Sequence, residues 1–165
     1  MSIYFHDNSA VHTASGLGQN AGDILQTVGP YNLTSHFTTT NTSYQDSGMS
    51  LNITPSATSS KILIIACLDT VGYGDRDRRP NTCICYGSVS SSNKLAQQVA
   101  GEYHTGDSGS YSYGGHTYWV LHSPNTTSQV TYRVGLRGLD GSTVRIFGDS
   151  SPDTRSFMYL QEVKG

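Results

Sequence analysis

The chain has 165 residues, 13% of them charged, and a formal net charge of −2. That is the length of one domain, and the charge balance excludes the basic footprint of a nucleic-acid or acidic-membrane binder. Ser and Thr form roughly a quarter of it and Tyr outnumbers Phe by 11 to 4, while Glu, Lys and Ala are scarce, so intrinsic preference favours strands and turns. No apolar run reaches about 18 residues, the least that reads as a membrane-spanning helix. Met1–Ala10 lack a basic region followed by a long apolar one. Three cysteines, an odd number without an export signal, predict free thiols and synthesis in a cytoplasm.

In chain order, residues 1–22 hold Gly16, Gly18 and Gly22 and one apolar cluster, Ile3, Tyr4 and Phe5. Such a segment cannot make a core of its own. It reads as a flexible leader or as an arm that attaches the domain, residues 23–165, to another subunit or a larger assembly, and the arm, with Ile3, Tyr4 and Phe5 as its contact, is the expectation. From Asp23 the pattern becomes β. Asp23–Val28 reads as a strand stopped by Gly29-Pro30, Tyr31–Thr38 as a second, and Ser43–Asp46 as a third, closed by Ser47-Gly48. Met49, Leu51 and Ile53 then alternate with Ser50, Asn52 and Thr54, the period of a strand with one wet face. Pro55–Ser60 reads as a turn. Ile62–Leu68 is apolar without a break, the mark of a strand covered on both sides. Residues 49–70 are therefore expected to form a hairpin.

Val71–Pro80 is a glycine-containing loop with a knot of charge. Thr82–Val89 is a strand with Cys83 and Cys85 on one face and Thr82, Ile84 and Tyr86 on the other. Lys94–Ala100 is a short strand or a single helical turn, and Gly101–Gly115 a long irregular loop, a length often put to functional use. Tyr118–Leu121 is again apolar on both faces. Val130, Tyr132, Val134 and Leu136 alternate with Gln129, Thr131, Arg133 and Arg137, and Asp140-Gly141 before Thr143–Phe147 is a hairpin signal. Ser156–Val163 closes the chain with Phe157 and Tyr159 on one face, Met158 and Leu160 on the other. About nine or ten strands at this spacing, with no helical period between them, predict an all-β, antiparallel two-sheet, jelly-roll-like sandwich. The runs 62–68, 118–121 and 157–160 carry more apolar surface than one core face needs. Ile62, Ile64, Trp119, Leu121, Phe157 and Tyr159 are accordingly expected at contacts between subunits, packed around a three-fold axis.

Chemistry has little to stand on. Cys83-x-Cys85 lacks the spacing and the second pair of a zinc site, and two small core residues is the simpler reading. His6, His12, His36, His104, His116 and His122 are scattered. Glu102 and Glu162 are the only glutamates, and Asp69, Asp75, Asp77 and Asp107 show no pairing of the kind glycoside hydrolysis needs. Neither a nucleophile elbow nor a phosphate loop is present, so the chain reads as a non-enzyme without cofactor or metal. The N-x-S/T triplets at Asn32, Asn41, Asn52 and Asn125 carry no weight in so Ser/Thr-rich a chain. Two loops remain as binding candidates. Arg76, Arg78 and Arg79 alternate with Asp75 and Asp77, either to meet an anionic surface or as a solvated, internally paired loop. Tyr103, His104, Tyr111 and Tyr113 bracket a Gly/Ser-rich stretch, a composition suited to stacking on sugars, or tyrosines that fold back on the sandwich.

Three ordered stretches also carry a resemblance. Residues 22–28, G-D-I-L-Q-T-V, lead to 37–64, F-T-T-T-N-T-S-Y-Q-D-S-G-M-S-L-N-I-T-P-S-A-T-S-S-K-I-L-I, whose turn I-T-P-S-A-T-S-S-K is the strongest mark. Tyr118–Tyr132, Y-W-V-L-H-S-P-N-T-T-S-Q-V-T-Y, and Met158–Val163, M-Y-L-Q-E-V, follow. Together they resemble a β-sandwich head domain of bacteriophage virion structural proteins and tail fibres, notably of aquatic phages, with His122 standing where that family usually has an acidic residue. The resemblance spans about residues 23–163. It implies a virion protein, made in the host cytoplasm, that is a homotrimer, attaches to other virion proteins by its arm and meets a host surface glycan or protein through its loops. A capsid decoration or head-fibre protein with a stabilising role is the alternative, and a carbohydrate-active enzyme or lectin a more distant one.

Overall fold

The computed structural model describes residues 3–4, 10–11, 20–73, 79–99, 111–139, 141–148 and 156–165, with the backbone alone at 3–4, 10–11, 111 and 112. Every regular element among them is a strand: β1 (Ile3–Tyr4), β2 (Ala10–Val11), β3 (Ile24–Asn32), β4 (Phe37–Thr39), β5 (Gln45–Ile53), β6 (Lys61–Tyr73), β7 (Pro80–Tyr86), β8 (Lys94–Val99), β9 (Tyr111–His122), β10 (Val130–Gly138), β11 (Thr143–Ile146) and β12 (Phe157–Val163). β1 and β2 pair as a small ribbon, and the other ten strands form a four-stranded sheet, β5-β10-β7-β8, and a six-stranded one built around β6. All pairings are antiparallel, so the jelly-roll-like sandwich is the fold observed. Along one edge of β6, β12 takes Lys61–Cys67 and β11 takes Thr70–Tyr73; β9 lines the other edge from Ile62 to Tyr73.

Alternation fills the space between the sheets. Ile62, Ile64, Ala66 and Leu68 of β6, Met158 and Leu160 of β12 and Tyr118 of β9 meet Met49, Ile53, Ile84, Val130, Tyr132, Val134 and Leu136 of the opposite sheet. Each fully buried aliphatic side chain contributes about 1.5–3 kcal/mol of transfer free energy. The even positions of β10 face inward as their period demands. β8 is a strand rather than a helical turn, and β9 begins at Tyr111, so the irregular stretch expected over 101–115 is already strand in its last five residues.

Several expectations are corrected. Residues 49–70 are not a hairpin: β5 lies in the four-stranded sheet and β6 in the six-stranded one, and 54–60 carries the chain across the sandwich. The buried carboxylate of Glu162 on β12 holds that crossing. Its Oε1 accepts the Ser56 amide (2.7 Å) and hydroxyl (2.6 Å), and its Oε2 accepts Gln26 Nε2 at 2.6 Å. Likewise β10 and β11 sit in different sheets, so the Gly141 turn also changes layer.

Two signals expected to stop strands are bulges inside them. β3 runs through Gly29-Pro30, with one extra residue where Tyr31 and Val28 face Met158 and Leu160. β5 runs through Ser47-Gly48, where Arg133 and Gly135 face Ser50 and Asp46. Both strands end their sheets, where a proline or a bulge sacrifices no second ladder. At Gly29, φ is +110° and an added Cβ would stand 2.8 Å from the Met158 carbonyl oxygen, so the position admits only glycine without distortion. Ile62 and Ile64, expected between subunits, are fully buried within the chain. β6 starts its alternation with Ile62 facing the other sheet, so its outward residues are Leu63, Ile65 and Cys67.

Candidate interaction surface

The register of β9, β6 and β12 sets three outward rows on the six-stranded sheet: Leu121–Leu63–Gln161, Trp119–Ile65–Tyr159 and Thr117–Cys67–Phe157. None of these nine side chains is charged. Lys61 and Asp69 stand at opposite ends of the same face of β6, four residues either side of Ile65. Trp119 is 68% and Leu121 56% exposed, while Leu63, Ile65, Phe157 and Tyr159 are half-covered by one another. Phe157 and Tyr159 pack edge to face with centroids 5.6 Å apart, and the Cys67 sulfur lies 3.4 Å from Thr117 Oγ1. A contiguous apolar block across three strands, rather than a scattered exposed side chain, marks a contact surface. Trp119, Leu121, Phe157 and Tyr159 are thus brought together on one open face. Leu63, Ile65 and Cys67 complete it, and only the register of β6 against β9 and β12 reveals them.

Of the strand ends that flank the two loop candidates, Tyr73 pairs with Tyr111 and Asn81 with Val99. Arg76, Arg78, Tyr103 and His104 lie outside the described residues, as does Phe5. Tyr111 is placed by its backbone in β9, Arg79 is half-buried just before β7, and Ile3 and Tyr4 pair with Val11 and Ala10. Tyr113 is 68% exposed, its ring parallel to Phe147 at 6.5 Å.

On the outer face of the four-stranded sheet, Cys83 and Cys85 pack with Tyr44 and Val89. Their sulfurs are 3.5 Å apart. The Cys83 hydrogen bond draws the Cys85 thiol down to about 7, and the same bond, with burial, pushes Cys83 up. Gly135 makes room for them: a Cβ there would stand 2.8 Å from the Cys83 sulfur and 2.7 Å from Val89. No group of three or more His, Cys, Asp and Glu among the described residues is placed to hold a metal ion. Tyr44 lies beneath Arg137 (4.7 Å) and Lys94 (5.5 Å). It donates to Asn81 Oδ1 at 2.7 Å, and burial raises its hydroxyl to about 12.

The described histidines are structural partners rather than a cluster. His36 Nδ1 accepts the Gly148 amide at 3.0 Å. His122 Nδ1 lies 2.9 Å from the Tyr132 hydroxyl. His116, 3% exposed, bonds through Nδ1 to Thr82 Oγ1.

No family model matches the chain, and no curated protein matches it. Among solved structures the chain is similar to one of infectious bursal disease virus, Gx strain, at 10% identity and a TM-score of 0.34, over 88% of this chain and 37% of that one. The chain therefore spans little more than a third of its neighbour's length, and a likeness so distant carries no argument about role.

Proposed function

We propose that the chain is a bacteriophage virion structural subunit: a homotrimeric appendage of tail-fibre or receptor-binding type. It attaches through the arm of residues 1–22 and offers its two candidate loops to a host surface glycan or protein. The observation that carries the assembly part is the uncharged face of Trp119, Leu121, Leu63, Ile65, Phe157 and Tyr159. Its centre is apolar, and the charges of β6 on that face, Lys61 and Asp69, stand four residues either side of Ile65, so the middle of the face can pack against neighbouring copies around a three-fold axis. The virion assignment is supported by the three sequence stretches that resemble phage head domains. The reading needs no catalysis and no cofactor: Glu162, one of two glutamates, is engaged by the 54–60 crossing.

Sedimentation at micromolar concentration should give a trimer. Trp119→Ser with Leu121→Ser should give a monomer with an unchanged far-ultraviolet spectrum, since loss of a central aromatic anchor costs about 2 kcal/mol or more of association. A wild-type monomer would overturn the assembly reading. Purified protein should compete with phage for adsorption. Weakened heads with normal adsorption when the protein is missing would replace the appendage by a capsid decoration or head-fibre role.

A further inference from the structure

The hydrogen bonds between β9 and β7 fix the tautomer of a buried histidine. Tyr118 Oη donates to the Thr82 carbonyl at 2.8 Å, and a carbonyl can only accept. With that proton used, the 2.8 Å contact between Thr82 Oγ1 and Tyr118 Oη takes the threonine proton. Thr82 Oγ1 then has only its lone pairs left for His116 Nδ1, so Nδ1 carries the hydrogen. The chain of donors runs from His116 to Thr82 to Tyr118 to the Thr82 carbonyl. It leaves Nε2 as a bare acceptor, buried, with no hydrogen-bond partner among the described residues.

Among the described residues nothing balances a charge there. From β9 itself the neighbouring titratable group is Tyr118, whose ionisation burial pushes upward. β6 presents Ala66, Leu68 and Thr70 on the shared face, with Asp69 on the other side of the strand. β7 presents Thr82 and Ile84, with Cys83 and Cys85 turned to the outer face. β8 presents Gln98 and Ala96 opposite Thr82 and Ile84, with Lys94 beside Cys85 and Tyr44. Gln98 ties β8 to β9 twice: its side-chain amide donates to the Thr117 carbonyl at 3.0 Å, and its backbone hydrogen-bonds the Tyr118 hydroxyl.

We infer that His116 is an acid-sensitive latch between the two sheets, closed when neutral and opened by a proton on Nε2. The proton would leave a cation at 3% exposure without an acceptor among the described residues, which the fold relieves by separating β9 from β7 and β8. That movement loosens the strand ends at Tyr73 and Tyr111 from those at Asn81 and Val99, so a fall in pH changes how they are presented. Burial lowers the imidazole to about 4 from its ordinary 6.5. The neutral form therefore stabilises the fold fully above about pH 6.5, and that stability is lost as pH falls towards 4.

The test is the pH dependence of unfolding for the full chain and for His116→Gln, which keeps a donor for Thr82 and cannot titrate. From pH 7 to pH 5 the wild-type folding equilibrium should fall about 20-fold more than that of the variant. Amide exchange protection should fall further in β9 than in β10. A wild-type imidazole that titrates near 6.5 by nuclear magnetic resonance, or an equal acid slope in both proteins, would overturn the latch. The resonance titration needs no variant and stands even if His116→Gln fails to fold.

Discussion

At the scale of single residues, the most consequential position is Glu162. Burial alone would raise its carboxyl, but hydrogen bonds from Ser56, Ser60 and Gln26 outweigh it and hold the group at about 2, below its ordinary 4.5. A depressed carboxylate contributes stability that is present above about pH 4.5 and is lost as pH falls towards 2, about 3 kcal/mol for a difference of this size. Glu162→Gln should lower the urea midpoint at pH 7 and flatten the decline below pH 4.5; an unchanged acid decline would assign it to another group. Gly135 makes the opposite kind of demand. Alanine normally improves on glycine in a strand, yet Gly135→Ala should cost about 1–3 kcal/mol in denaturant titration because Cys83 and Val89 must give way. Both roles were only half legible. The inward place of Glu162 follows from alternation with Leu160, but its donors Ser56 and Gln26 lie 106 and 136 residues away in sequence.

At the scale of elements, period was a sound guide to faces and a poor one to partners. Val130, Tyr132, Val134 and Leu136 are buried as the alternation requires. The pairing of 49–53 with 62–68 fails because a turn that reverses the chain within one sheet and a turn that crosses between two are built from the same Pro, Ser and Thr. Gly29-Pro30 and Ser47-Gly48 were misleading for a related reason, since the residues that end a central strand are tolerated as a bulge on an outer one. The bulges meet where β3 and β5 pass each other: Tyr31 Oη lies 3.3 Å from the Gly48 carbonyl oxygen, and Leu51 approaches Gly29. Gly29→Ala should therefore lower the melting temperature, whereas Ala57→Gly in the exposed crossing should change it little; equal effects would show that the bulge is not constrained.

At the scale of the whole molecule, the cysteines report on assembly. Cys67 lies on the open face beside Phe157, while Cys83 and Cys85 have no exposed surface. One thiol should react with a maleimide in the Trp119→Ser, Leu121→Ser protein and be protected in the wild-type oligomer, with all three reacting in denaturant. Equal labelling of both native proteins would place the subunit contact elsewhere. The sequence by itself determined the class, the approximate number of strands, the inward face of most of them and the excess of apolar surface on 62–68, 118–121 and 157–160. These are properties of composition and of a two-residue period, which each segment carries locally. Only the tertiary structure decided that 49–53 and 62–68 lie in different sheets and that Ile62 and Ile64 face inward while Ile65 and Trp119 face out. It alone set Glu162 on the Ser56 turn and left His116 with a bare nitrogen between two strands. Those outcomes depend on which distant strands pair and in what register, and a shift of one residue exchanges the two faces of a strand.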